Sequence, residues 1–196
     1  MIRFFDVLFS LIGIIVLLPL FIIIGIAIRL DSKGPVIYRQ QRVGKNGISF
    51  SLLKFRSMFT DSDKRGLITI GNKDPRITGV GRFIRKYKLD ELPQLINVLN
   101  GSMSIVGPRP EVNKYVVLYN DYQRRVLSVK PGITDFASIY FRNENEILDS
   151  KINPEEYYIK YLIPQKIRLN LVYIKNYNVK TYFLIILKTI KSVFFR

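Results

Sequence analysis

The feature that most constrains this chain is an uncharged apolar run of 22 residues, Val7–Ile28. Arg3 and Asp6 precede it, and Arg29 and Asp31 lie just beyond it. At about 1.5 Å per residue, a straight helix of that length crosses the hydrocarbon core of a bilayer. The run is too long for a signal peptide, the basic segment before it is weak, and no small-residue cleavage site follows cleanly. Pro19 divides it into Val7–Leu18 and Leu20–Ile28. Inside a helix, proline removes one backbone hydrogen bond and crowds the preceding turn, so a kink is expected. Neither half alone reaches across the core. Two geometries stay open: a kinked transmembrane span, or a re-entrant helix that enters and leaves by one face. Hydropathy favours the span. Arginine at both ends disfavours it, because basic residues gather on one side of a membrane.

The chain beyond the apolar run is strongly basic. All 196 residues together carry 31 Lys and Arg against 15 Asp and Glu, a formal charge of +16, and most of that excess lies after residue 30. A domain of this kind is drawn to anionic lipid at roughly 1 kcal/mol per basic residue near the surface. Nucleic acid is the other polyanion such charge serves. Cys, His and Trp are absent. Disulfides, cysteine or histidine zinc sites, thiol nucleophiles and imidazole bases are therefore excluded. Chemistry has to run on carboxylates, hydroxyls, amines and a hard, oxygen-preferring cation.

Val36–Arg42 and Ile48–Phe55 read as the strands of a β-hairpin, with Asn46–Gly47 supplying the positive φ of a tight turn. Asp61–Lys73 reads as a mobile polar loop. A short basic helix is expected over Gly81–Lys88, and a second from Asp90–Glu91 to Leu99, stopped by Asn100–Gly101. Gly107–Pro108–Arg109–Pro110 makes a stiff turn. Val112–Leu127 has helical periodicity. Asn153–Pro154–Glu155–Glu156 is a helix start, continued over Tyr157–Ile163, and Pro164 opens another helix to about Lys175. Thr181–Arg196 places Lys188, Lys191 and Arg196 among Phe, Leu and Ile, a pattern suited to lying on a membrane or to packing as a last helix.

With imidazole and thiol excluded, the adjacent carboxylates Asp90 and Glu91 stand out. A helix N-terminus lowers a carboxylate's pKa and keeps it ionised, as a nucleophile or metal ligand requires. Arg82, Arg85, Lys86 and Lys88 precede the pair, and Arg109 sits between two prolines downstream. An ionised acid, a second acid for Mg²⁺ and several arginines suit phosphoryl transfer. The plainer alternatives are a helix cap and a structural turn, and from residue types alone these prevail.

The order of motifs adds a resemblance. Asp74–Pro75–Arg76–Ile77–Thr78, the Gly79–Arg85 segment, Leu89–Asp90–Glu91–Leu92–Pro93–Gln94–Leu95, Asn97–Gly101 and Met103–Pro110 together resemble the bacterial sugar transferase family, the monotopic phosphoglycosyl transferases. The proline-bearing apolar helix, Leu53–Met58 and Lys130–Thr134 match as well, so the likeness spans nearly the whole chain. It implies an α+β, predominantly helical fold: a re-entrant membrane helix broken at Pro19 (residues 1–30), then a cytoplasmic, membrane-associated catalytic domain (31–196) with one small hairpin and interfacial amphipathic helices. It also implies transfer of a sugar 1-phosphate from a UDP-sugar to polyprenol (undecaprenyl) phosphate with release of UMP. Asp90 is then the nucleophile, Glu91 the Mg²⁺ ligand, and Arg85, Arg109, Lys54 and Arg56 the phosphate-binding cations. The implied setting is the bacterial inner membrane, with membrane lipid as a partner, no nucleic acid, and a homodimer left open. Two places depart from the family pattern. Ser102 stands where aspartate is frequent, and Thr134–Asp135–Phe136–Ala137–Ser138 replaces Thr-Gly-Trp-Ala-Gln. The alternatives are a membrane-anchored basic module that binds anionic lipid or nucleic acid without catalysis, and a bitopic scaffold.

Overall fold

The computed structural model describes residues 1–60, 62 and 74–194. The expected loop at Asp61–Lys73 lies, apart from Ser62, outside the described residues. Helix α1 is one continuous element, Ile2–Asp31, with Pro19 inside it. Proline therefore does not interrupt the helix, and any break expected at Pro19 is confined to a bend within one helical element. One lost backbone bond is outweighed by the cooperativity of the remaining turns. Only Ile2, Asp6, Ser10, Ile24 and Ile28 of α1 are buried. Their spacing of four residues gives each end of the helix one inward stripe. Between those stripes Leu11, Ile12, Ile15, Val16, Leu18, Ile22 and Ile23 are exposed.

The β-hairpin forms as expected, from β1 (Ile37–Val43) and β2 (Ser49–Phe55), paired from Ile37↔Phe55 to Val43↔Ser49. Its turn has φ of 57° at Asn46 and 78° at Gly47. Helix α2 (Gly79–Lys86) starts at Thr78, whose hydroxyl accepts from Gly81 N at 2.9 Å. The helix expected from Asp90 is shorter. A 3₁₀ turn, Leu89–Glu91, carries the two acids, and α3 (Gln94–Leu99) begins only after Pro93. β3 (Ser104–Val106) pairs in parallel with β4 (Gly132–Thr134).

Val112–Leu127 is not one helix, against expectation. It splits into α4 (Asn113–Val116), α5 (Asp121–Arg124) and a 3₁₀ turn over Arg125–Ser128. The physical reason is Asn120, which forms a reciprocal capping box with Gln123 and so starts a new helix where periodicity alone continues the old one. α6 (Phe136–Tyr140) and α7 (Glu144–Asp149) come next. α8 (Pro154–Tyr157) has the expected Asn153 cap and first-turn proline. A π turn over Tyr158–Leu162 joins it to α9 (Ile163–Lys175), and α10 (Val179–Phe194) ends the described chain.

The largest core gathers α4, the π turn and α9 through Tyr115, Val116, Tyr158, Leu162, Ile163 and Ile167. Helix α1 attaches to this body at both ends. Ile2, Phe5 and Phe9 pack with Val106, Tyr173, Tyr182 and Ile185, whereas Ile24 and Ile28 pack with Phe55 and Ile84. Polar contacts fasten the same ends. Arg3 donates to the carbonyls of Val98 and Leu99, closing α3. Asp6 Oδ1 accepts from Ser104 Oγ, Ile105 N and Tyr182 OH, each at 2.9 Å. At the other end Asp31 Oδ2 accepts from Val80 N at 2.9 Å, on the first turn of α2.

Candidate active site

Three elements converge on Asp90 and Glu91. Asn97 of α3 ties that helix to the edge of β2, its Nδ2 donating to Ser51 O at 2.8 Å and its Oδ1 accepting from Leu53 N at 2.9 Å. The next residue of the strand, Lys54, thereby sets its Nζ 3.1 Å from Glu91 Oε1. The chain enters the acid-bearing turn through Lys88 in the left-handed conformation, φ 58°. From the far side comes Arg109, whose Nη1 donates to Glu91 Oε2 at 3.1 Å and whose Nη2 donates to Oε1. This two-pronged geometry is the strong form of a carboxylate–guanidinium contact.

The stiff turn that carries Arg109 is pressed against β4. Gly107 N donates to Thr134 O and Gly132 N to Pro108 O, both at 3.0 Å. A Cβ at position 132 meets Gly107 N at 2.0 Å, closer than any side chain can approach. Gly132→Ala is therefore expected to lower stability by about 2 kcal/mol through overpacking, read as the fall in unfolding temperature. The same change pushes the Arg109 turn away from Glu91, so turnover falls with it.

The two neighbouring acids are electrostatically unlike. Asp90 is 6% exposed, and among the described residues its carboxyl accepts no hydrogen bond. Burial, then the charge of Glu91, pushes its pKa up, and Lys54, Arg85 and Lys88 only partly offset this. The expectation that the helix end lowers this pKa is thus corrected, because loss of water outweighs whatever dipole the six-residue α3 supplies. Burial also opposes ionisation of Glu91, yet Arg109 and Lys54 outweigh it and hold that carboxyl well below its usual range. Glu91 in turn raises the pKa of Arg109. The pair is one cation-clamped acid with a depressed pKa beside one unclamped, more basic carboxylate. A more basic oxygen is the better nucleophile, provided it is ionised at the working pH.

Of the cations expected at the site, the structure brings Lys54 and Arg109 onto Glu91. Arg85, on the last turn of α2, has Nη1 3.5 Å from Ser57 Oγ, and its charge acts on Asp90. Arg56 is not brought to the pair. Its buried guanidinium donates to the carbonyls of Ile28, Ser32 and Lys33 and closes the end of α1. Ser102 engages Asn97 O at 3.1 Å and Asn100 Oδ1 at 2.8 Å, so this departure belongs to the turn that ends α3.

Two carboxylates without a third, and with no cluster of three metal-ligating side chains among the described residues, suit a cation that completes its shell on substrate oxygens. Mg²⁺ fits such a set through Glu91, since it is held by one or two carboxylates together with phosphates and water, provided that Arg109 or Lys54 yields a Glu91 oxygen to it. A supporting network escapes the sequence reading. Glu111, two residues past Arg109, accepts from Tyr158 OH and lies 3.5 Å from the buried Lys166 Nζ, which also meets Glu144 at 3.1 Å. Asp135 accepts from Arg109 N. The only signal for Asp135 in the sequence is its place in a departing motif; Glu111 gives none beyond its charge.

Comparisons with known proteins bear on the family of the chain. The sequence profile described as bacterial sugar transferase matches residues 1–196. A protein of Bacillus subtilis, provisionally named an undecaprenyl-phosphate N-acetylgalactosaminyl 1-phosphate transferase, is 50% identical over 109 residues, which are 56% of this chain and 61% of that one. The UDP-N-acetylgalactosamine–undecaprenyl-phosphate N-acetylgalactosaminephosphotransferase of Aeromonas hydrophila is 36% identical over 195 residues, 97% of this chain and 43% of its own. The UDP-glucose:undecaprenyl-phosphate glucose-1-phosphate transferase of Escherichia coli is 38% identical over 165 residues, 80% of this chain and 35% of its own. This chain therefore spans between about one third and three fifths of the length of these curated relatives. With the profile matched from end to end, the chain belongs to the bacterial sugar transferase family.

Proposed function

We propose that this chain transfers a sugar 1-phosphate from a UDP-sugar to undecaprenyl phosphate, with release of UMP and through a covalent intermediate on Asp90. One observation carries the reading: a buried carboxylate, without a hydrogen-bonding partner among the described residues, lies next to a carboxylate clamped by Arg109 and Lys54. In the first step an Asp90 oxygen attacks the phosphorus that bears the sugar. An aspartyl O–P bond forms, the P–O bond to UMP breaks, and its electron pair leaves on the UMP oxygen. In the second step an oxygen of undecaprenyl phosphate attacks the same phosphorus, forming the diphosphate and returning the electron pair to the Asp90 carboxylate. An acyl phosphate is reactive enough to pass its group on, so a single carboxylate serves both steps. Arg109, Lys54 and Arg85 hold the phosphate oxygens and offset their repulsion from Asp90. Glu91 would hold Mg²⁺ by giving up part of its contact with Arg109 and Lys54, and the ion would supply charge neutralisation at the diphosphate.

The same reading places the chain on the cytoplasmic face of the bacterial inner membrane, with α1 re-entrant. Both of its ends are bonded to one folded body, and one face of its middle lies on α3 through Gly13 beside Leu95, while Leu11, Ile15, Val16 and Ile22 turn outward. A helix that crossed the bilayer would carry one end beyond reach of that body. Exposed Phe83 on α2 and Tyr87 just past its end, and Leu184, Leu187 and Ile190 on α10, with lysines and arginines interleaved, suit helices lying at headgroup depth. The test is UMP release by the purified full chain with Mg²⁺ and undecaprenyl phosphate across a panel of UDP-sugars. Release from one donor, stopped by chelation of Mg²⁺, is the expected result. No release from any donor by folded protein would count against the proposal.

A further inference from the structure

We infer that Asp135 is the positioning residue that aims Arg109 at the acid pair. The inference rests on the proposed role of Arg109 at the acid pair. Asp135 is fully buried. Its Oδ2 accepts from the backbone N of Arg109 at 2.8 Å and from Asn170 Nδ2 at 3.1 Å, while Oδ1 accepts from Ser138 N. One carboxylate therefore joins the Arg109 turn, helix α9 and the first turn of α6.

The joint matters because of what surrounds Arg109. Pro108 and Pro110 fix φ on either side and carry no N–H, so Arg109 offers the turn's only amide between Gly107 and Glu111. Among the described residues, Asp135 is the group that holds that amide. The side chain of the same residue grips Glu91 with both nitrogens, so a rotation of the Arg109 peptide is transmitted to the acid pair. Asn170 is itself buried, and among the described residues its Oδ1 has no partner. Its amide nitrogen is committed to the carboxylate. Glycine at 135 removes all three acceptor contacts at once and leaves the amide of Arg109 and the Nδ2 of Asn170 without this partner.

Asp135→Ser separates positioning from capping, since a serine hydroxyl still caps α6 through Ser138 N but is too short to reach Arg109. Hydrogen–deuterium exchange is followed in the peptide containing Pro108–Pro110. Exchange at Arg109 is expected to quicken by about tenfold or more in folded Asp135→Ser and Asp135→Gly protein, because the amide loses its acceptor. In turnover assays the KM for the UDP-sugar is expected to rise about tenfold while kcat changes by less than about threefold. In an Arg109→Ala background the same substitution is expected to change KM no further, although the amide of residue 109 still exchanges faster. Should Asp135→Ser not fold, Asn170→Ala tests the joint from the other side, and faster Arg109 exchange is again expected. Unchanged Arg109 exchange in the folded variants, or a KM effect of the same size without the Arg109 side chain, overturns the inference. The exchange result reads Asp135 whether or not the chain turns over a UDP-sugar, so its failure is distinct from failure of the proposed activity.

Discussion

Asp90→Asn is expected to reduce UMP release by at least about 10³-fold, since removing a covalent nucleophile leaves only binding and electrostatic contributions, and at the same time to raise the unfolding temperature at neutral pH. The first effect comes from the proposed chemistry, because a carboxamide cannot form the mixed anhydride. The second comes from burial. Asp90 has a folded pKa raised above its unfolded value, chiefly by loss of water and then by Glu91. Ionising it in the folded state therefore costs stability. That cost is absent below the ordinary carboxylate pKa of about 4, grows as pH climbs through the raised folded value, and stays constant above it. Asparagine removes it, so the gain in unfolding temperature should emerge near pH 7 and vanish in acid. Glu91 has the opposite sign. Its folded pKa is depressed, so it stabilises above its unfolded pKa and that contribution is lost as pH falls through the folded value. Intact-protein mass after incubation with donor supplies the third readout. A sugar-phosphate increment on the peptide containing Asp90 is expected for the native chain and none for the variant. An Asp90→Asn protein that turns over at the native rate refutes the covalent route.

The parts of this molecule that are legible in its sequence are those set by local rules. Asn46–Gly47 dictates a hairpin turn whatever surrounds it, and Asn153–Pro154 dictates a helix start. The acid pair is legible because a chain without histidine or cysteine has few other nucleophiles. The parts that stay hidden depend on contacts between distant segments. The rise in the pKa of Asp90 comes first from its burial in the folded chain, which no helix-end argument contains. Arg56 sits in a motif beside Lys54, yet the folded chain sends it to the carbonyls at the end of α1 and Lys54 to Glu91. The interruption at Asn120 is local and readable, since Asn with Gln three residues later is a capping box. Hydrophobic periodicity runs straight through it and masks it. Asp135 shows the converse: a departure from a family pattern is visible, but its meaning lies in Arg109 and Asn170, each more than twenty residues away.

Asp6→Ala is expected to lower stability by about 4 kcal/mol, the largest structural effect of any single change considered, because it strands two buried donors and a half-buried one at once. Ser104 Oγ, Ile105 N and Tyr182 OH all donate to the same Asp6 oxygen at 2.9 Å, and Asp6 and Tyr182 are almost wholly shielded from water. For a chain of this size such a loss corresponds to a fall of about 10 °C in unfolding temperature. Asp6→Asn keeps an acceptor oxygen in place and is expected to cost roughly half as much. Leu11→Ala, on the outward middle of the same helix, removes more apolar surface than Asp6→Ala does. It is nonetheless expected to shift stability in detergent by less than about 0.5 kcal/mol, since an exposed position leaves no cavity and no unpaired group. That contrast tests whether the outward face of α1 contributes to its attachment. If Leu11→Ala proves as damaging as Asp6→Ala, that face is packed rather than free. If Asp6→Ala is harmless, the buried carboxylate does not join α1 to β3 and α10, and the support it gives to a helix anchored at both ends falls away.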